Sequence, residues 1–144
     1  MLVDNWRPLV INWMSLHDFL VRDYTLGILK TMRGLVNLGN TCYFNAAVQC
    51  LAHVPPLSKF LLAAEPYDGP CDITREYQKV VTELFTSGKF DPVNPKALPH
   101  AFRTRFPAFE GGAQHDAQEV IILLIDVFEK SIGQKFIKSI SNVS

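Results

Sequence analysis

A chain of 144 residues is long enough for one domain with a sizeable core, and its 48% hydrophobic and 19% charged residues describe a globular sequence. Fourteen basic residues balance fourteen acidic ones, which argues against a dominant role on nucleic acid or on a membrane surface. The longest aliphatic run, VIILLI at residues 120–125, is too short to cross a bilayer. The start, MLVDNWRPLV, lacks a basic leader with an apolar block and a cleavage site, so an intracellular protein of the cytoplasm, the nucleus or both is expected.

Residues 1–33 read as a leader containing Trp6 and Trp13. Leu16, Phe19, Leu20 and Tyr24 fall near helical spacing there, with Asn12 or Ser15 as the cap. A helix is expected from Cys42, where Phe44, Ala47, Val48 and Leu51 form an i, i+3, i+4, i+7 stripe. Pro55 and Pro56 are expected to end it, and LSKFLLAA to give a short helix after them. Residues 72–87 form the clearest amphipathic pattern, with Asp72 as N-cap, Gly88 just past the end, and Ile73, Tyr77, Val80, Val81 and Leu84 on one face. NPKALPHAF predicts a helix capped by Asn94 with Pro95 at its first position. A last helix is expected from about Asp116 to Lys130, with Ala117, Val120, Ile121, Leu124 and Phe128 as its stripe. Ile122 and Leu123 lie outside that stripe, so this helix needs burial from more than one direction.

The three cysteines, Cys42, Cys50 and Cys71, are odd in number and include no CxxC pair, which predicts neither a disulfide framework nor a zinc site. No metal and no cofactor is expected. Cys50 and Cys71 read as small buried hydrophobes. Cys42 differs, because GLVNLGNTCYFN (residues 34–45) places it where a glycine- and asparagine-rich turn enters a helix. A thiol attacks as thiolate, and the partial positive charge and unpaired amides of a helix start favour an anion. Thr41 is the natural N-cap and aims Cys42. Acyl transfer through sulfur generates an oxyanion. Asn37, five residues upstream, is a candidate donor to it, and such a donor is worth about 2.7–4 kcal/mol. Gly34 and Gly39 would allow backbone angles and close approaches that a side chain blocks. They also have the spacing of a phosphate-binding G-x-x-x-x-G, but Asn40 stands where lysine is required. Local physics alone leaves open a glycine-rich turn with an incidental cysteine.

GLVNLGNTCYFNAAVQCL, residues 34–51, resembles the cysteine box of the ubiquitin-specific proteases, the papain-like deubiquitinases. The match runs through Gly34, Leu35, Asn37, Leu38, Gly39, Asn40, Thr41, Cys42, Tyr43, Asn45, Gln49 and Leu51. QHDAQE, residues 114–119, is similar to that family's glutamine-aspartate box. The resemblance implies a mainly α fold, the helical thumb lobe of a papain-like cysteine protease with the strand-rich half absent. It divides the chain into a leader at 1–33, the N-terminal part of a catalytic domain at 34–140 and a tail at 141–144. By resemblance, Cys42 would be the nucleophile at the carbonyl after the ubiquitin C-terminal glycine. Asn37 would bind the oxyanion, and Gln114, Asp116 and Glu119 would lie beside the ubiquitin tail. Asp116 and Glu119 also have a simpler reading, as carboxylates capping a helix start.

The family's base is a histidine in a glycine-histidine-tyrosine-like context far downstream. His17, His53, His100 and His115 do not stand in such a context. His17 precedes the box, His53 is about three turns from Cys42 or roughly 16 Å along a helix axis, His115 belongs to the second box, and His100 reads as a surface residue. The expectation is therefore a truncated deubiquitinase with ubiquitin or ubiquitinated proteins as partners and little activity of its own. The alternative is a non-catalytic module that binds ubiquitin or a partner protein. Neither a nucleic-acid nor a membrane partner is expected, and oligomeric state is left open.

Overall fold

The computed structural model describes residues 33–86 and 89–141. The expected leader helix, its Asn12 or Ser15 cap, His17 and the Gly88 terminator lie outside them. The described residues form five helices: α1 (Cys42–Ala52), α2 (Pro55–Ala63), α3 (Asp72–Thr86), α4 (Ala97–Arg105) and α5 (Ala117–Ser141), with a 3-10 turn at Pro107–Phe109. Among them the extended pairing is a single parallel bridge, Leu35 to Val93. The fold is mainly α, as expected.

The apolar stripes read from the sequence are the faces that pack. On α3, Ile73, Tyr77, Val80, Val81 and Leu84 are buried, and on α1 so are Phe44, Ala47, Val48 and Leu51. α1 packs on α5, and α3 packs on α2 and α4. Phe44 meets Phe102 of α4 edge-on at 5.1 Å, Tyr77 meets Phe128 of α5 at 4.5 Å, and Phe60 of α2 meets Phe136 at 5.5 Å.

Several boundaries differ from expectation, each for a physical reason. Pro55 and Pro56 open α2 rather than merely closing α1, because a first helical turn does not use the amide hydrogens that proline lacks. Asp72 is the first residue of α3 and pairs with Arg75 at 2.6 Å, so it is not the cap. Asn94 accepts from the Lys96 amide at 3.1 Å, and Leu98 donates to the Pro95 carbonyl at 2.9 Å. That turn delays α4 to Ala97. α5 runs eleven residues past Lys130, because Ile132 and Phe136 continue its buried face and Gly133 sits inside the helix with only the Glu129 stem nearby. Of the two residues that the pattern puts outside the stripe, Ile122 is 58% exposed and Leu123 half-buried, and Ile137, past the expected end, is 46% exposed.

Residues 33–38 run as a strip held by backbone and by side-chain bonds. Val36 donates to the Val93 carbonyl at 2.9 Å and Val93 donates to the Gly34 carbonyl at 2.9 Å. Two amide side chains one helical turn apart on α1 also reach its carbonyls. Asn45 Nδ2 donates to the Val36 carbonyl at 3.1 Å, and Gln49 Nε2 to the Arg33 carbonyl at 3.0 Å. Arg33 itself is buried; its guanidinium donates to the Asp91 carbonyl at 2.6 Å and the Glu83 carbonyl at 2.9 Å, and pairs with the Asp91 carboxylate at 3.3 Å.

Gln49→Ala removes the donor to a carbonyl at the start of this strip. The expected cost is about 1–3 kcal/mol, seen as a lower urea midpoint with an unchanged slope.

Candidate active site

The strip leads into a tight loop, residues 37–41. Asn37 Oδ1 accepts from the Gly39 amide at 3.0 Å, the Thr41 amide at 3.4 Å and the Thr41 hydroxyl at 3.1 Å. This is an asparagine side chain closing a turn over its own backbone. Gly39 has φ 90° and Asn40 φ 48°. Glycine enters that left-handed region without cost, and asparagine is among the side chains that tolerate it. Gly34 has no such need: its φ is ordinary and an added Cβ would meet nothing among the described residues. The expected steric role of Gly34 is therefore corrected, and that of Gly39 rests on conformation rather than on a close approach.

Thr41 occupies the N-cap position of α1, but its side chain does not cap the helix. Its buried hydroxyl accepts from the Leu38 amide at 3.0 Å and donates to Asn37. The loop has taken the hydroxyl that the first turn would have used. The first turn of α1 consequently carries no side-chain cap, and the exposed Cys42 stands at its head. Asn37 is exposed, and the three bonds to its oxygen leave Nδ2 as the donor group without a partner among the described residues. Cys50 is also exposed and Cys71 half-buried, which corrects the expectation that both are buried. Cys50 follows Gln49 on the polar side of α1, away from the Phe44–Leu51 stripe.

The second loop comes from residues 110–116. Its anchor is aromatic. Phe109 packs at 5.1 Å on Phe102 and stacks at 6.4 Å on Tyr43, the residue after the thiol. The His115 ring lies 5.3 Å from Tyr43 and 4.6 Å from Phe109. Beside it, Gln114 reaches the sulfur: Cys42 Sγ donates to Gln114 Oε1 at 3.3 Å. Gln114 Nε2 donates to Asn40 Oδ1 at 3.3 Å, and Asn40 Nδ2 donates to the Gly112 carbonyl at 2.9 Å. Asp116 caps α5, its carboxylate accepting from the Gln118 amide at 2.8 Å, and Glu119 lies in the first turn of α5. Both carboxylates are exposed.

The structure thus joins Cys42 to Gln114 directly and places Asn37 in the loop that aims the cysteine. Asp116 and Glu119 sit at the head of the next helix, with Asp116 in the capping role that the sequence also allowed. Asn40, which the sequence sets against a phosphate loop and includes in the cysteine-box match without a role, joins this hydrogen-bonded group. Its signal was the Gly39–Asn40 pair, which marks a left-handed turn.

No histidine hydrogen-bonds Cys42 among the described residues. His53 lies at the far end of α1 with its Nδ1 at 2.7 Å from the Gln49 carbonyl, and His100 is exposed on α4. The buried Nε2 of His115 has no hydrogen-bond partner among the described residues. No group of three or more metal-ligating side chains gathers among the described residues, and no helix of theirs is long and apolar enough to cross a membrane.

The family model described as ubiquitin carboxyl-terminal hydrolase matches residues 33–143. Ubiquitin carboxyl-terminal hydrolase 15 of Homo sapiens is 34% identical over 110 residues, covering 70% of this chain and 11% of the relative. The Rattus norvegicus protein of that name matches to the same extent. Putative ubiquitin carboxyl-terminal hydrolase 11 of Arabidopsis thaliana is 30% identical over 125 residues, covering 81% of this chain and 14% of the relative. The chain therefore spans between a tenth and a seventh of the length of these curated relatives.

Thr41→Val keeps the shape but strands the Leu38 amide, and is expected to cost about 1–3 kcal/mol. Thr41→Ser keeps the hydroxyl and most of the stability. Thermal unfolding of the two variants side by side checks this.

Proposed function

The chain belongs to the ubiquitin carboxyl-terminal hydrolase family, and from that premise we propose that it is the nucleophile-bearing part of a thiol deubiquitinase acting inside the cell. One observation carries the reading. The exposed Cys42 heads a helix whose first turn has no side-chain cap, and Gln114 of the second box rests on its sulfur.

In this reading Cys42 Sγ attacks the carbonyl carbon of the C-terminal glycine of ubiquitin. A carbon–sulfur bond forms and the carbonyl π bond opens to an oxyanion. The uncapped amides of the α1 first turn and Asn37 Nδ2 are the donors at hand for that charge, the kind of arrangement that lowers such barriers by several kcal/mol. When the oxyanion collapses, the carbon–nitrogen bond breaks and the amine leaves with a proton. Water then hydrolyses the thioester, releasing ubiquitin with a free carboxylate and restoring the thiol. Gln114, which touches the sulfur, and Asp116 and Glu119, at the head of α5, are assigned to the arriving tail. Their two carboxylates suit a basic peptide. Proton transfer requires a base, and none of the described histidines holds Cys42. General acid–base assistance contributes roughly 10²–10⁴-fold, so the 144-residue chain by itself is assigned a slow reaction.

A second reading is favoured by that same lack of a histidine at the sulfur: a module that binds ubiquitin or a partner without cleaving. The partners in either reading are ubiquitin or ubiquitinated proteins.

Ubiquitin carrying an electrophilic C-terminus is expected to label the chain slowly, with the adduct lost in Cys42→Ala. Labelling that survives this substitution would refute Cys42 as the nucleophile. Rapid turnover of a ubiquitin-amide reporter by the chain would refute the missing base. Undiminished ubiquitin binding together with no adduct at all would favour the binding module.

A further inference from the structure

Three hydrogen bonds run in single file from the backbone of the 110–116 loop to the sulfur. The Gly112 carbonyl accepts from Asn40, the Asn40 carbonyl accepts from Gln114, and the Gln114 carbonyl accepts from Cys42. The first of these fixes the direction of the rest. A backbone carbonyl can only accept, so Asn40 must turn its NH₂ toward Gly112 and its oxygen toward Gln114. Gln114 must then turn its NH₂ toward Asn40 and its oxygen toward the sulfur. Reversing either amide would set two acceptors face to face, so the direction of the file is fixed. Cys42 is left one role at the end of the file, that of donor, and only a protonated thiol can donate.

We propose that Asn40 is a positioning residue which, acting through Gln114, holds the Cys42 thiol at rest as a hydrogen-bond donor to the Gln114 oxygen. The proposal rests on the reading of Cys42 as nucleophile, and it extends that reading. Gln114 also belongs to the loop assigned to the ubiquitin tail. A tail that draws Gln114 away removes the acceptor, so the thiol is released for attack only with substrate in place. Asn40 suits the task because its left-handed backbone, with φ 48°, points one short amide at both neighbours.

The test is site-resolved alkylation of the full 144-residue chain by iodoacetamide, read by peptide mass spectrometry, with exposed Cys50 as internal reference. Asn40→Gly keeps the left-handed backbone and breaks the file. It is expected to speed alkylation of Cys42 by about three- to tenfold at neutral pH and to leave Cys50 unchanged. Gln114→Leu is expected to do the same without touching the cysteine loop. Asn40→Asp loses the bond to Gly112 but still accepts from Gln114, so it is expected to give no acceleration. Adding Gln114→Leu to Asn40→Asp should restore the faster rate despite the extra carboxylate. Equal rates for Asn40→Gly and the unaltered chain would overturn the proposal. Equal acceleration by Asn40→Gly and Asn40→Asp would also do so, because Asn40 would then be a mere tether between loops. Failure of a ubiquitin electrophile to label Cys42, with this alkylation pattern intact, would instead sink the deubiquitinase reading alone.

Discussion

The position of the thiol depends on the clamping of residues 33–38. An extended strip has a full set of backbone donors and acceptors that must be met without a sheet. Here Val93 bonds Gly34 and Val36, and Asn45 and Gln49 bond the carbonyls of Val36 and Arg33. Arg33 closes the upstream end with a buried guanidinium bonded to two backbone carbonyls. Removing one partner of a buried charge is costly, so this end is the least free to shift. Because Asn45 and Gln49 belong to the helix that Cys42 heads, the strip and the helix are one rigid piece. The loop between them, residues 37–41, has both ends fixed and closes over the single oxygen of Asn37.

The second loop is referenced to the same piece through aromatic packing. Phe44 and Tyr43 are consecutive on α1, and they touch Phe102 and Phe109 respectively. His115 completes the contact from the far side of the loop. Rings set by edge-on and tilted contacts resist sliding. Gln114, next to His115, is thereby brought to the head of α1, where its amide bonds Asn40 and Cys42.

The helices and their buried faces were legible in the sequence, since apolar spacing of 3.6 residues is a local signal. The Cys42–Gln114 association was legible only as two boxes that resemble those of one family. Periodicity classes Asn45 and Gln49 as residues off the apolar stripe and has nothing further to say of them. Their work depends on a strip far enough upstream to lie alongside, which is a tertiary fact. The same holds for Gln78 on α3. Its amide donates to the carbonyls of Leu61 and Glu65 and accepts from the Tyr67 amide, stitching down the turn after α2. Thr41 was read correctly as the cap position and wrongly as the capping group, because a nearer competitor, Asn37, lies in the loop. The run-on of α5 was missed because Gly133 weakens a helix locally, whereas Ile132 and Phe136 gain more from burial than that glycine costs.

Cys42 and Gln114 stand 72 positions apart. Bringing such distant points together costs chain entropy that grows with the logarithm of the intervening length, and here the packing of α1 against α5 must supply it. Sulfur chemistry at the mouth is thereby tied to cohesion in the interior. A lesion that loosens Val48 or Leu124, both fully buried, therefore weakens the contact at the sulfur as well as the core around it. The two boxes meet only as far as the helices behind them hold.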